Sequence, residues 1–294
     1  MFMCSGRPTG AGAHPSTILQ TFRLPEPVKG ELELRFRPTG KEKADTAAVE
    51  NTVSEIIMPK SYLAEYVQYL GNAVPKDTLN VLCVGNSFTY YWGCPAMLKE
   101  IAWNEGHYLR VKSTLKGGQT LGDHLALPVS RNVVNAGRYD FAFFQDQSQS
   151  PARYASDTTQ FDYVNTNFLK LTDRLLSRSR NCRVILESTW SFEKDDFGGF
   201  GSHAAFDSLM TIGTSMMVRN ASKIFGANDF EVSPIGRAFS IVRNENPGID
   251  LYSADSKHQS DYGSYLKACV NYLMIFRKPF QSQPADGATS SIDC

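Results

Sequence analysis

The stretch LNVLCVGNSFT, residues 79–89, decides the fold of this 294-residue chain. Its short apolar run ends on Gly85 and breaks into a polar turn, which predicts a buried strand that leads into a helix. The side chain after such a strand lies at the carboxyl edge of a parallel sheet, where ligands of open α/β folds bind. Ser87 therefore stands where a nucleophile would stand, at a helix amino terminus that favours negative charge. Taken alone, however, the stretch favours a plainer interpretation over a nucleophile, namely that Ser87 only caps the helix.

Composition narrows the class of protein. Hydrophobic residues make up 42% of the chain, which at this length predicts one large domain with at most a small appendage. Lys+Arg and Asp+Glu both number 30, so no net charge favours nucleic acid or an anionic membrane as a partner. No uninterrupted apolar run approaches the roughly 20 residues that span a bilayer. We therefore expect a small-molecule or glycan partner, with no nucleic acid and no membrane span.

The start of the chain and its cysteines show no pattern of a signal peptide, a disulfide framework or a zinc site. Residues 1–7 lack the basic-then-apolar pattern of a signal peptide, so we expect a cytoplasmic protein if this start is native, and a periplasmic or secreted one if a leader has been removed. The six cysteines include no CxxC pair, which favours buried free thiols over a disulfide framework or a zinc site. Neither a metal nor an organic cofactor is implied.

Strand-like and helical runs alternate from residue 79 onward. This alternation predicts a parallel sheet covered on both faces. Five strands in this length fit a flavodoxin-like three-layer α/β/α sandwich with a five-stranded parallel sheet, and not an eight-fold barrel. The predicted strands are 79–85, 108–113, 139–145, 182–188 and 230–235, and the predicted helices are 93–106, 160–178, 203–225 and 260–276.

Three regions follow from this pattern. Residues 1–75 are expected to form an amino-terminal extension that packs on the main domain, with an edge strand at 31–37 and a helix at 46–72. Residues 76–282 are expected to form the α/β domain, and 283–294 a flexible tail.

The residues after each predicted strand supply most parts of an acyl-transfer site. Ser87 follows the first strand, and the glycine pair Gly117-Gly118 with its backbone N–H groups follows the second. The string Gln145-Asp146-Gln147-Ser148 follows the third strand and offers side-chain amides. A nucleophile and hydrogen-bond donors that meet at one edge are what an oxyanion hole requires. The missing part is a general base.

Five histidines are candidates for that base. His14 lies in the loop-like amino-terminal region, and His107 precedes the second strand and so belongs to the opposite edge. His203 follows a glycine-rich loop at a predicted helix start. His124 stands close to the glycine pair and is a genuine competitor. His258 lies three residues after Asp255, near enough in a tight turn for that carboxylate to orient the imidazole towards Ser87.

The ordered set of motifs resembles the SGNH (GDSL-type) hydrolases over about residues 79–280. Gly85–Thr89 is similar to their block I, in the bacterial branch that reads Gly-Asn-Ser-Phe-Thr there. Gly117-Gly118 with Leu121 is similar to block II, and 145–148 to the Gln-Asp/Glu-Gln-Ser string of that branch. The segment 255–266 resembles its Asp-x-x-His-Pro-Ser-x-x-Gly-x-Tyr-Leu, with Gln259 in place of the proline.

The resemblance implies a Ser-His-Asp mechanism. Ser87 would be the nucleophile, His258 its general base and Asp255 the group that fixes the imidazole. The backbone N–H groups of Ser87 and Gly118 would hold the developing oxyanion together with a side-chain amide.

The identity of that amide is open. The Gly-x-Asn-Asp of block III is absent, so Gln145 is the first candidate and Gln147 the alternative. Asn86, Gly117, Gln147 and Trp190 are expected to contact substrate, with Phe192 beside them.

The resemblance also implies the reaction class. The family mostly cleaves esters, and related branches remove O-acetyl groups from carbohydrates, so a carbohydrate O-acetyl esterase is our first hypothesis. A lipase-like or thioesterase-like acyl hydrolase is the runner-up. A catalytically silent glycan-binding protein of the same fold is a third alternative, from a different class.

Overall fold

A computed structural model describes residues 77–194, 199–226 and 230–279. Five parallel strands form one sheet in the order β2-β1-β3-β4-β5, which confirms the predicted flavodoxin-like topology. The strands are β1 (Leu79–Gly85), β2 (Leu109–Leu115), β3 (Phe141–Phe144), β4 (Arg183–Glu187) and β5 (Phe230–Ser233). Strand β1 lies between β2 and β3, so the strand order reverses at β1. The crevice at its carboxyl end is where such folds bind ligands.

The described residues contain nine α-helices. Four of them match the helical ranges predicted from the sequence, and the helix expected directly after Gly85 is present as a single turn. They are α1 (Ser87–Tyr90), α2 (Cys94–Asn104), α3 (Leu121–Ala126), α4 (Pro128–Asn135), α5 (Ser150–Ser156), α6 (Asp162–Leu176), α7 (His203–Phe225), α8 (Ile235–Glu245) and α9 (Asp261–Phe276). The predicted helices correspond to α2, α6, α7 and α9. The others are mostly one or two turns long, too short for a periodic pattern to stand out.

Strand alternation divides the core into two layers. Leu82, Val84 and Phe144 point to one face and pack with residues of α3 to α7. Val81 and Phe143 point to the other face and pack with α2 and α9. Near-continuous apolar strands of this kind are expected of a parallel sheet that is buried on both faces. The sheet is therefore the middle layer of a three-layer sandwich, with helices packed on both of its faces.

A third apolar cluster closes the carboxyl edge of the sheet. It joins Phe88, just past β1, to Trp190 after β4 and Phe239 in α8. These rings are stacked, with Trp190 4.2 Å from Phe239 and 4.9 Å from Phe88 between centroids. The cluster ties the segment after β1 to the segment after β4.

The terminal segments and the cysteines were also the subject of predictions. The predicted edge strand at 31–37, the helix at 46–72 and the tail at 283–294 lie outside the described residues. Within them, Cys83, Cys94, Cys182 and Cys269 are buried free thiols. No helix in this part of the chain is both long and apolar enough to cross a bilayer.

Candidate active site

The turn after β1 fixes the position of Ser87. The Asn86 side chain caps α1 by accepting from the Phe88 N–H at 3.1 Å, and its amide donates to the Gln119 carbonyl at 2.9 Å. A side chain at Gly85 would place its Cβ 2.8 Å from the Gln145 side-chain oxygen. Glycine is therefore required where the strand passes closest to its neighbour. Ser87 sits at the start of α1 and is 8% exposed.

His258 and Asp255 complete a hydrogen-bonded chain with Ser87. The His258 Nε2 atom lies 2.7 Å from Ser87 Oγ, and its Nδ1 atom lies 2.5 Å from Asp255 Oδ2. The other carboxylate oxygen of Asp255 accepts the backbone N–H groups of Lys257 and His258 at 3.0 and 2.9 Å. The tight turn thus holds the carboxylate against the imidazole that follows it. In this geometry the ring can take a proton from the serine while the carboxylate fixes its tautomer.

The environment of Asp255 keeps it ionised. Partial burial alone would raise its pKa, but the hydrogen bonds from the His258 ring and from the two backbone N–H groups outweigh burial and lower the pKa below its ordinary value. The His258 ring is further held by Tyr91, which stacks on it at 4.2 Å between centroids. The negative charge of Asp255 and the orientation of the His258 ring are therefore fixed by their surroundings.

The competing histidines do other work. His124 is buried, with Nε2 2.9 Å from the Gly85 carbonyl and Nδ1 2.8 Å from Ser130 Oγ. Since a carbonyl only accepts, Nε2 carries the proton there, and burial lowers the pKa of the ring. His124 therefore buttresses the end of β1. His203 bonds Ser191, and His107 stacks on an aromatic ring of α9 far from Ser87.

A cavity of about 420 Å³ opens beside Ser87 and His258. Its wall combines the segments that follow β1, β2, β3 and β4 with the Asp255–His258 turn. The lining residues are Asn86, Ser87, Phe88, Gly118, Gln147, Ser148, Gln149, Phe192, Lys257 and His258. Ser87 and His258 therefore face a space large enough for a small acyl group and part of an alcohol.

The two glutamines after β3 separate clearly. Gln147 lines the cavity, with its backbone N–H held by Asp146 Oδ1 at 2.7 Å. Gln145 is fully buried behind the turn at residues 86–88, where its side-chain oxygen accepts the Asn86 N–H at 2.9 Å. Its amide nitrogen donates to the neighbouring Asp146 carbonyl. The expectation that Gln145 supplies the oxyanion donor is thus corrected by the structure, because its amide is turned away from the cavity.

Trp190 and Gly117 also differ from expectation. Trp190 is fully buried in the aromatic cluster, and its indole N–H donates to the Lys257 carbonyl at 3.0 Å. Trp190 thus supports the Asp255–His258 turn and does not line the cavity. The expectation that Trp190 contacts substrate is corrected accordingly. Gly117 is absent from the cavity wall, where its neighbour Gly118 stands with a left-handed φ of 71°. A Cβ on Gly117 would lie 2.9 Å from the Tyr90 hydroxyl, so close packing explains this glycine.

Two residues of the cavity wall were not expected from the sequence. Lys257 stands at a variable position of the Asp-x-x-His motif, and Gln149 follows the 145–148 string directly, so neither side chain was singled out. Gln259, treated as a loss of proline, instead donates its side-chain amide to the Phe88 carbonyl at 3.1 Å. The signal for Gln259 is its place directly after His258, where a buried amide can reach the turn at residues 86–88. Within the described ranges, no cluster of three or more His, Cys, Asp or Glu side chains is placed to hold a metal ion.

Comparison with solved structures supports the fold. No protein-family profile and no curated protein matches this sequence. Among solved structures, a DUF4886 family protein from Bacteroides uniformis ATCC 8492 is similar with a TM-score of 0.54 at 16% identity, covering 72% of this chain and 90% of that one.

Two acetyl xylan esterases are also similar in structure. Axe2 from Geobacillus stearothermophilus has a TM-score of 0.51 at 13% identity, over 71% of this chain and 100% of that one. The esterase AlAXEase has a TM-score of 0.51 at 14% identity, over 67% of this chain and 100% of that one. The chain thus shares its three-layer fold with acetyl xylan esterases, and sequence identity this low speaks for the fold alone.

Proposed function

We propose that this chain is a serine esterase of the SGNH type that removes O-acetyl groups from carbohydrate. The observation that carries the proposal is the continuous chain from Ser87 Oγ through the His258 ring to Asp255, set beside a cavity at the carboxyl edge of the sheet. Similarity in fold to two acetyl xylan esterases supports the reaction class. The modest cavity, walled by the polar residues 147–149, suits a short acyl group on a polar alcohol.

The first half-reaction forms an acyl-enzyme. Ser87 Oγ attacks the ester carbonyl carbon while His258 Nε2 takes the hydroxyl proton, and Asp255 stabilises the resulting imidazolium. The negative charge on the carbonyl oxygen is met by the backbone N–H groups of Ser87 and Gly118 and by the amide of Gln147. Collapse of the tetrahedral adduct breaks the bond to the alcohol oxygen, which receives the proton from His258.

The second half-reaction returns the enzyme. Water gives a proton to His258 Nε2 and its oxygen attacks the acyl carbon on Ser87, so that the oxyanion forms again in the same donors. The bond to Ser87 Oγ then breaks, His258 returns the proton to that oxygen, and acetic acid leaves and ionises in water. Every proton transfer in both halves uses the single nitrogen that lies 2.7 Å from the serine hydroxyl.

The experiment compares wild-type protein with Ser87→Ala on p-nitrophenyl acetate, butyrate and octanoate, and on acetylated xylo-oligosaccharide. Ser177→Ala is the matched control, because Ser177 is an exposed serine whose hydroxyl donates to a carbonyl at the end of α6. We expect release that depends on Ser87 and is fastest with acetate. Preference for octanoate would favour a lipase-like or thioesterase-like hydrolase. Absence of release that depends on Ser87 on every ester would reject the esterase and favour a glycan-binding protein.

A further inference from the structure

The helix that carries Ser87 is interrupted after one turn. Helix α1 ends at Tyr90, and the Tyr91 N–H donates to the Ser87 carbonyl as the last bond of the helix. The next residue, Trp92, adopts a left-handed φ of 55°, which breaks the helical path. The Phe88 carbonyl is therefore left without a donor from its own helix, although it is buried beside the nucleophile. A buried carbonyl needs a partner, and here side chains must supply it.

Two buried side chains bond this carbonyl. Lys267 Nζ, from α9, lies 2.9 Å from the Phe88 oxygen, and Gln259 Nε2 lies 3.1 Å from it. The same Lys267 nitrogen donates to Thr89 Oγ1 at 3.0 Å. Two of the three N–H groups of Lys267 thus reach the two residues that follow Ser87.

The third N–H group of Lys267 reaches Glu187, at the end of β4. Lys267 Nζ lies 2.6 Å from Glu187 Oε2, and the two side chains are 0% and 1% exposed. The other carboxylate oxygen of Glu187 accepts the amide of Asn271 at 2.8 Å, and Asn271 in turn accepts from the Ser233 hydroxyl. The polar atoms of the pair are therefore satisfied by each other, by Phe88 and Thr89 of α1 and by Asn271 of α9.

Stability alone is a weak reason to keep such a pair. Removing two charges from water is costly, and replacing a buried ion pair by uncharged residues of similar volume is often neutral or stabilising. This pair is specific in where it points. Its ammonium group bonds the backbone just after Ser87, and the Thr89 hydroxyl that it holds lies 3.1 Å from the Gln145 oxygen. That oxygen accepts the N–H of Asn86, so the residues on both sides of Ser87 are held.

We propose that the Lys267–Glu187 ion pair is a positioning pair for the nucleophile. It fixes the backbone on the carboxyl side of Ser87, and with it the direction of the Ser87 hydroxyl towards His258 and of the Ser87 N–H towards the oxyanion. Neither side chain belongs to the cavity wall, so the pair acts through the turn and touches no substrate. The inference rests on the proposed function, because positioning has meaning only where Ser87 reacts.

The test removes both charges together at nearly constant volume. Lys267→Met/Glu187→Gln avoids the lone buried charge that either single variant would leave. Arg183→Met/Glu231→Leu is the matched control, because that ion pair joins the same strand β4 to β5 near its amino end, away from the site. The primary measurement is the rate at which an organofluorophosphonate probe labels Ser87. Urea unfolding and ester kinetics are measured on the same samples.

We expect the Lys267→Met/Glu187→Gln protein to be folded, to label at least about tenfold more slowly and to lose kcat by a similar factor. Its KM should stay within about twofold, since misplacement of a reacting group by a fraction of an ångström acts on the chemical step. The control pair should label at the wild-type rate. A purely structural pair would change the urea midpoint and leave the labelling rate of the folded protein unchanged. That result would overturn the inference.

Two further outcomes remain decisive. If Lys267→Met/Glu187→Gln does not fold, Thr89→Val decides. It keeps the ion pair and the bond from Lys267 to the Phe88 carbonyl, and it removes the hydroxyl that links Lys267 and Glu187 to the Gln145 oxygen. Slower labelling of the folded Thr89→Val protein supports the inference, and an unchanged rate overturns it. Wild-type labelling at Ser87 without turnover of any ester would reject the proposed function alone. A wild-type Ser87 that does not label would overturn both.

Discussion

The Nε2 atom of His258 lies 2.7 Å from the Oγ atom of Ser87, although 171 residues separate the two in the chain. The sheet brings them together, since Ser87 follows the central strand β1 and His258 precedes α9, which packs across one face of that strand. Gln259 then joins the two turns directly by donating to the Phe88 carbonyl. The contact is thus a product of the whole fold, supported on both sides by buried groups.

Replacing Asp255 by Asn should lower kcat by about 10³–10⁴-fold with little change in KM. The amide cannot stabilise the imidazolium and favours the wrong tautomer of His258, as the same replacement does in known Ser-His-Asp enzymes. Steady-state hydrolysis of p-nitrophenyl acetate measures the effect. Asp250→Asn is a control in the same loop, because Asp250 bonds the Tyr252 N–H outside the Ser87 contact. Wild-type kcat in Asp255→Asn would show that the carboxylate is dispensable.

Asp255 should also leave a mark on stability at low pH. Its pKa is lowered in the folded protein, so the folded state binds the proton less readily than the unfolded chain does. Its contribution to stability is present above the ordinary carboxyl pKa of about 4 and is lost as the pH falls through the lowered pKa. Urea unfolding of wild type and Asp255→Asn should therefore converge in acid. Curves that stay equally far apart at every pH would contradict this sign.

The two glutamines after β3 should give opposite defects. Gln147→Ala removes a donor from the cavity wall and should lower kcat by roughly 10²–10³-fold while stability changes little. Gln145→Ala leaves the buried Asn86 N–H without its acceptor and should lower the free energy of unfolding by about 1–3 kcal/mol. Kinetics and urea unfolding of both variants, measured side by side, separate the roles. A larger kcat loss in folded Gln145→Ala than in Gln147→Ala would reverse the assignment.

The fold was accessible from the sequence because it rests on local signals, and the Ser87–His258–Asp255 chain was accessible through the resemblance of the ordered motifs to a known family. Apolar runs of strand length, alternating with helical stretches, are written in neighbouring residues, and the Asp255–His258 turn needs only four. The direction of the Gln145 side chain, in contrast, could not be predicted from local signals. The chain leaves the sheet just there, so strand alternation no longer says which glutamine faces the cavity.

Burial that depends on distant partners was also out of reach. Trp190 suits a sugar platform by residue type, but its ring is enclosed by Phe239, which arrives with a later helix. Lys267 resembles an ordinary solvent-facing lysine in an amphipathic helix. Its burial depends on Glu187, 80 residues earlier. A single sequence carries no local signal for such pairs, because their cause is tertiary.

Asp146 should make stability fall as the pH rises through weakly acidic values. Burial raises its pKa to about 6 and outweighs the N–H bonds from Leu121 and Gln147. Between about pH 4 and about pH 6 the folded state therefore holds a proton that the unfolded chain has lost, so raising the pH costs stability. Asp146→Asn can still accept both N–H bonds and removes the titration.

The measurement for Asp146 is the urea midpoint of wild type and Asp146→Asn across that pH range. The variant should gain stability relative to wild type as the pH rises from about 4 to about 6, and the difference should be constant above that. Asp157→Asn is a suitable control, because Asp157 is an exposed carboxylate that bonds only local N–H groups among its described contacts. A difference that is independent of pH would show that Asp146 is ionised throughout.

Gly85→Ala should damage the site and the fold together, because this glycine is where β1 passes the Gln145 side chain. The new Cβ would lie 2.8 Å from Gln145 Oε1 and 2.9 Å from Thr89 Oγ1, so both polar atoms must move. Overpacking of this kind costs about 1–3 kcal/mol of stability. The displaced atoms also hold Asn86 and the turn after Ser87, so the rate of Ser87 labelling should fall in the fraction that stays folded. Gly248→Ala is the matched control, since a Cβ there meets nothing within 4 Å. Equal stability and labelling rates in the two variants would show that the turn at residues 86–88 tolerates a wider gap between β1 and Gln145.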